Sequence, residues 1–367
     1  MATVPEFRPS GQGRAERLPP EIFDLPVEKM REGYYTDAYF NHTRDALLAD
    51  GRHPRVVMQV FQRNSAMLGG VDEAIAILKL CSHDWNELTV HALRDGDRIA
   101  PWETVLTVEG DYTLFAHLET LYLGVLTRRT LITTNVARVV EAANGKPIIF
   151  MPARHDHHRV QTGDGYAAYV AGAMIGASIG VTSDAQASWW GGRGVGTVPH
   201  ALIAAYGGNT VLAATKFAEW AGDMNVVVLV DFENDSVRTA LEVARALGPR
   251  LWGVRLDTSN QLVDRSLWGE MGDFDPRGVN ERLVRKVRGA LDADGFERVR
   301  IVASGGFTVE KIEEFESKGV PVDAYGIGSS LIRGQNDFTG DIVLTDGRPS
   351  AKVGRRWRPN ERLELVG

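Results

Sequence analysis

Cysteine is almost absent from this chain. Cys81 is the only one, so no intrachain disulfide can form and no cysteine-based zinc cage can be built. A reducing, cytoplasmic setting is the expectation that follows. Long apolar runs are missing as well: the uncharged stretch Tyr166 to Thr182 is too short and too rich in alanine and glycine to cross a bilayer, and reads as a buried helix running into a strand. The first residues mix Pro5, Arg8, Pro9, Arg14, Arg17, Pro19 and Pro20 without the apolar core of a secretory signal, which reads as a loose arm. An excess of basic charge is lacking too. The net charge of -7 argues against a nucleic-acid or anionic-membrane surface, so any anion site must be made locally. Gly191 to Gly196 has neither the Lys nor the Ser/Thr of a Walker loop, and no lysine ends a strand where it could form a Schiff base.

What is present is a set of apolar runs that end in chemistry. Val226 to Asp231, Leu251 to Asp257, Arg300 to Gly306 and Val322 to Ser330 are rich in β-branched and aliphatic residues, and a helical pattern follows each. They read as parallel strands of a β/α barrel, whose site lies at the strand C-terminal ends. From 367 residues the expectation is a flexible arm (1–30), an α/β domain with connecting helices (31–144), a barrel (145–335) and a tail (336–367) that returns to the first domain. Strands are expected at Val56 to Arg63, Leu88 to Leu93 and Thr104 to Val108, and a helix over Val71 to Leu80. Two helices broken at Gly124 are expected between Tyr112 and Ala143, and a hairpin of Ile342 to Thr345 with Ala351 to Trp357 turning at Asp346-Gly347. Thr308 is placed to cap a helix with Val309, Ile312 and Phe315 on its apolar face and Gly319 at its end.

Strand alternation points Arg255 and Asp257 to one side, so a guanidinium and a carboxylate face the same space. One binds anionic oxygens and the other can hold a cation. Mg²⁺ commonly takes one or two carboxylates plus phosphate oxygens, so Asp257 with Asp231 or Glu233 would suffice. A salt-bridged pair at a barrel rim is the rival account. Ser304-Gly305-Gly306 and Gly326-Ile327-Gly328-Ser329-Ser330 follow successive late strands, where backbone N–H groups can cradle a phosphate. Arg154, first in Arg154-His155-Asp156-His157-His158-Arg159 after a strand at Ile148 to Ala153, suits a cationic wall for pyrophosphate better than a metal site. His200 is either an inert helix-start residue or a proton or phosphoryl acceptor. The cluster Tyr34-Tyr35-Thr36-Asp37-Ala38-Tyr39-Phe40 is either packing or a platform for an aromatic ligand.

Tyr35-Thr36-Asp37-Ala38-Tyr39, Arg154, Thr182-Ser183-Asp184, Gly196-Thr197-Val198-Pro199-His200, Leu229-Val230-Asp231, Arg255-Leu256-Asp257-Thr258-Ser259, Ser304-Gly305-Gly306 and Gly326-Ile327-Gly328 occur in the order seen in nicotinate phosphoribosyltransferases. The chain resembles that type II phosphoribosyltransferase family over nearly its whole length. The resemblance implies an N-terminal α/β sandwich completed by the tail, an irregular (β/α) barrel, and a homodimer whose active site takes the Tyr39 region from the neighbouring subunit. It implies transfer of phosphoribosyl from phosphoribosyl pyrophosphate (PRPP) to the ring nitrogen of nicotinate in NAD salvage. Catalysis would rest on His200, Asp257 and Arg255. Arg154, Ser304, Gly305, Gly306, Gly326, Gly328 and Ser329 would hold PRPP; Asp257 and Asp231 would hold Mg²⁺. Asp37, Tyr39 and Asp184 would lie near the pyridine, and His200 matches the histidine phosphorylated in ATP-coupled members. Three departures stand out. Pro199 replaces the family's usual alanine, so ATP coupling stays open; Met151 stands where an aromatic is common; Asp184 stands where nicotinate enzymes often have Asn. Nicotinamide or quinolinate as acceptor, and a non-catalytic barrel that binds a phosphoribosyl metabolite, are the rivals.

Overall fold

The computed structural model describes residues 17–270, 272 and 274–367. Residues 1–16 of the expected arm lie outside these; the rest of it carries two short helical segments. A 3-10 turn at Pro20–Phe23 precedes α1 (Val27–Arg31), and Arg17 donates to Asp72 Oδ1 at 2.8 Å while Leu18 N–H donates to Asp72 Oδ2 at 2.9 Å. The chain divides into two compact units, 136–333 and 17–135 with 334–367.

The first unit in chain order holds α2 (Ala38–Ala49), β1 (Arg55–Phe61), β2 (Ala66–Met67), α3 (Val71–Cys81), β3 (Thr89–Ala92), β4 (Arg98–Ile99) and β5 (Thr104–Asp111). Val56, Met58 and Val60 of β1 share a core with Ile75 and Leu78 of α3, the alternate residues of a strand meeting one face of a helix. α4 (Glu119–Ala142) follows two 3-10 turns and runs unbroken through Gly124, contrary to the expected break, and the division between the units falls inside it. One glycine costs a helix about 1 kcal/mol relative to alanine, which burial of Tyr122, Leu126, Ile132, Val136 and Val140 along the same helix outweighs.

The second unit carries the parallel strands β6 (Ile148–Phe150), β7 (Ile179–Val181), β8 (Val226–Leu229), β9 (Leu251–Leu256), β10 (Arg300–Ala303) and β11 (Ala324–Ile327), in the order β7-β6-β11-β10-β9-β8. Around them lie α5 (Gln161–Ile175), α6 (Asp184–Ala187), α7 (His200–Ala205), α8 (Thr210–Trp220), α9 (Ser236–Leu247), α10 (Glu281–Ala293) and α11 (Val309–Ser317). β8 is buried throughout, as a strand covered on both sides must be. Asp235, Asn280 and Thr308 each cap their helix by accepting a backbone N–H three residues on, and Ile312 and Phe315 form the buried face of α11 as expected. The gap between β7 and β8 is filled by the glycine-rich segment. Val195 N–H donates to Val181 O at 2.7 Å, Val198 N–H to Val227 O at 2.8 Å, and Val198 makes a parallel bridge with Val228. The sheet is thereby curled into a barrel wall, and the glycine-rich segment serves as a closing strand of a single bridge, at Val198, outside the regular strands.

The tail returns to the antiparallel sheet. β12 (Thr339–Thr345) pairs with β1, β13 (Arg348–Pro349) with β12, and β14 (Glu364–Leu365) with β3, giving the order β13-β12-β1-β5-β3-β14. The hairpin turns at Asp346-Gly347, but its return strand is β13 and not Ala351 to Trp357. That later segment lies against Gln59, whose amide donates to Arg356 O at 2.9 Å and accepts from Arg358 N–H at 3.0 Å. A side-chain amide has taken the place of a strand partner.

Candidate active site

The strands of the barrel unit deliver the expected residues to one rim. Arg255 and Asp257 do face the same side, with Arg255 Nη2 3.3 Å from Asp257 Oδ1. They are joined through Ser304 at the end of β10. Its hydroxyl accepts from Arg255 Nε–H at 2.8 Å and lies 2.7 Å from Asp257 Oδ1 and 3.0 Å from Leu256 O, both acceptors. Ser304 is buried, so the three-residue link is fixed in orientation. The ion pair of the rival account is thus present as well, with Ser304 bonded to both of its partners.

Gly305 and Gly306 follow with φ of 84° and 81°, backbone that glycine adopts without strain. No described residue accepts from their N–H groups. A Cβ on Gly306 would lie 2.4 Å from Asn260 Nδ2, and one on Gly305 would lie 3.2 Å from Thr258 O. Asn260 was not singled out in the sequence; its only mark there is a place three residues after Asp257. On β11, a Cβ at Gly326 would strike the Met151 thioether at 2.7 Å, and one at Gly328 would strike His155 Cε1 at 2.9 Å. Met151 therefore covers Gly326 beside Ser304. His155 sits over the second glycine turn, and the 3-10 turn Ser329–Ile332 packs against the turn Pro152–His155 that carries the exposed Arg154. The strand before that turn ends at Phe150, because Pro152 starts the 3-10 turn.

His200 begins α7 directly after the closing strand. Its Nε2 lies 2.9 Å from Asp231 Oδ1 at the end of β8. That hydrogen bond, with the charges of Asp231 and Asp257, holds the imidazole above its usual 6.5 against burial and Arg255. No group of three or more His, Cys, Asp or Glu able to enclose a metal occurs among the described residues. Asp231 and Asp257 do fit a cation that needs few protein ligands: each uses one oxygen within the protein, and no described residue bonds to the other. Asp184 starts α6 at the end of β7, and its Oδ1 accepts from Gly194 N–H at 2.8 Å.

Asp37 and Tyr39 belong to the other unit. Asp37 Oδ2 accepts from the Thr120 hydroxyl at 3.0 Å, and Tyr39 is 60% exposed. Tyr34 and Tyr35 are exposed beside them, so the aromatic cluster is not a packed core.

A model of the quinolinate phosphoribosyl transferase N-terminal domain matches residues 37–130. A nicotinate phosphoribosyltransferase of Mycobacterium tuberculosis is 33% identical over 271 residues, 70% of this chain and 54% of that protein. One of Bacillus subtilis is 27% identical over 336 residues, 81% of this chain and 63% of that protein. The chain thus spans little more than half the length of the mycobacterial relative. Among solved structures, the nicotinate-nucleotide pyrophosphorylase from Pyrococcus furiosus is 31% identical with a TM-score of 0.77, covering 93% of this chain and 85% of that one. Human nicotinic acid phosphoribosyltransferase shares the fold at 18% identity and a TM-score of 0.63, over 86% of this chain and 75% of that one. With the two-domain architecture and the strand-end constellation in place, this chain belongs to the type II phosphoribosyltransferase family.

Proposed function

We propose that the chain transfers the phosphoribosyl group of PRPP to the ring nitrogen of nicotinate, releasing pyrophosphate and forming nicotinate mononucleotide in NAD salvage. The observation that carries this reading is the Arg255–Ser304–Asp257 link set against the Gly305-Gly306 turn, whose N–H groups have no partner among the described residues. As the C1–O bond breaks, positive charge grows on the ribose and negative charge on the diphosphate. Arg255, Arg154 and His155 supply cations or donors for the departing oxygens, already oriented before reaction. The turns at Ser304 to Gly306 and Gly326 to Ser329 grip the 5-phosphate and orient the sugar. Mg²⁺ bound at Asp257 and Asp231 would add positive charge to the leaving diphosphate.

The acceptor ring is assigned to the side where β6 and β7 end, near Met151 and Asp184. Asp37 and Tyr39 are supplied by a second copy in a homodimer. A surface helix free of buried side chains, α2, together with exposed Tyr34, Tyr39 and Leu48, supports that partner. If turnover is coupled to ATP, His200 is the phosphoryl acceptor. In the neutral ring, with Nε2–H donated to Asp231, Nδ1 keeps the lone pair that would accept the phosphoryl group. The setting is cytoplasmic.

Purified protein incubated with PRPP, millimolar Mg²⁺ and radiolabelled nicotinate should give mononucleotide and pyrophosphate in equal amounts. Absence of both rejects the reading, and calorimetric PRPP binding without product favours a sensor. Nicotinamide and quinolinate run in parallel separate two further readings. The domain match over 37–130 favours quinolinate.

A further inference from the structure

The hydrogen bond from Gly194 to Asp184 has a consequence for acceptor choice. We propose that Asp184 is a positioning residue whose carboxylate latches the closing strand, and through it His200, rather than the group that reads the substituent of the pyridine. This deepens the transferase reading and rests on it for the chemistry, though not for the latch.

The turn that carries the exposed Asp184 is pinned on both sides of it. Ser183 Oγ accepts from Gln186 N–H at 3.3 Å, Gln186 Oε1 accepts from the N–H groups of Thr182 at 3.0 Å and Ser183 at 3.1 Å, and the Ser183 hydroxyl donates to Gln161 Oε1 at 2.9 Å. Gln186 is itself buried and packs on Gly165, where a Cβ would come within 2.2 Å of Gln186 O. From this platform Asp184 Oδ1 takes the Gly194 N–H at 2.8 Å. The two backbones touch: a Cβ on Gly194 would lie 2.9 Å from Ser183 C and Cα. The next residue, Val195, bonds to Val181 O at 2.7 Å, and Val198 bonds to Val227 O at 2.8 Å. Two residues further on, His200 meets Asp231 at 2.9 Å. The strand is too short and too glycine-rich to hold its own place, so an anchor at its start sets the register of everything up to His200. Committed to the Gly194 N–H, Oδ1 cannot also serve the ring, and Oδ2, without a partner among the described residues, is the only oxygen left that could.

Asparagine keeps an oxygen that can accept from Gly194, and alanine does not, so Asp184→Asn and Asp184→Ala separate the latch from the charge. In the protein without substrates, Asp184→Ala should speed amide exchange at Gly194 and Val195 by about tenfold or more, and Asp184→Asn should leave it near wild type. In turnover, Asp184→Ala should lower kcat by about 100-fold with little change in KM for nicotinate, as displaced catalytic groups do. Asp184→Asn should keep the nicotinate-to-nicotinamide ratio of kcat/KM within about threefold of wild type, since no charge-read contact is lost. The proposal is overturned if Asp184→Asn moves that ratio by about tenfold or more, which is the mark of a recognition residue. It is equally overturned if Asp184→Ala leaves exchange unchanged. Should alanine prevent folding, Gly194→Ala tests the same contact, with faster exchange at Val195 expected and unchanged exchange counting against the latch. The exchange measurements need no activity, so they stand even if no pyridine is turned over.

Discussion

Ser304 shows how one buried hydroxyl can decide a site. Strand alternation made the shared direction of Arg255 and Asp257 legible, because side-chain direction on a strand is a local property. The link between them was not legible, since it depends on β10 lying beside β9 in a particular register. Ser304→Ala strips a partner from Arg255 Nε and from Asp257 Oδ1 at once. The expected cost is about 1–3 kcal/mol, read as a lower denaturation midpoint at unchanged slope, with a raised KM for PRPP. Unchanged stability and KM would mean the link is idle. His200 gives a second test. Its value is raised in the fold, so the His200–Asp231 pair stabilises most below 6.5 and that gain disappears as pH rises through the folded value. The Tm difference between wild type and His200→Gln should therefore be larger at about pH 5.5 than at about pH 9. A gap that does not vary with pH would show that charge on the ring adds nothing. Asn260 and His155 lie against the glycine turns through folding alone, and no sequence spacing marks such contacts.

At the scale of elements, the sequence was most informative where a local rule acts without competition. The cap at Thr308 and the Asp346-Gly347 turn fall where expected, the latter because both residues adopt positive φ, 49° and 74°, as a two-residue hairpin turn requires. It misled where tertiary burial overrode local preference. Gly124 reads as a breaker, yet α4 passes through it, and a Cβ there would meet nothing within 4 Å. Gly124→Ala should thus stabilise the protein by about 0.5–1 kcal/mol, through helix preference and a less free unfolded chain. A thermal melt that shows no gain, or a loss, would mean that α4 is strained at this point. The closing strand is the opposite case. Val195 to Val198 has too few residues and too much neighbouring glycine to signal a strand, and only the gap between β7 and β8 makes it one.

For the whole molecule, the candidate residues are divided between two compact units. Arg154, Asp184, His200, Asp231, Arg255, Asp257 and the glycine turns belong to 136–333, and Asp37 and Tyr39 to the other. If each site in a homodimer is completed by Asp37 and Tyr39 of the partner copy, a chain defective in one set can complement a chain defective in the other. Tyr39 is 60% exposed and Asp257 lies at a strand end, so Tyr39→Ala and Asp257→Asn should both fold while each homodimer loses activity. Dissociated and reassociated in equal amounts, half of the dimers would be mixed, and each of those would hold one site with both defects and one with neither. The mixture should regain about a quarter of the wild-type rate. Sites built within single chains would regain nothing, because every site would then carry one defect or the other. The mixing experiment thus reads the sharing of sites directly, where a mass measurement would report only that copies associate.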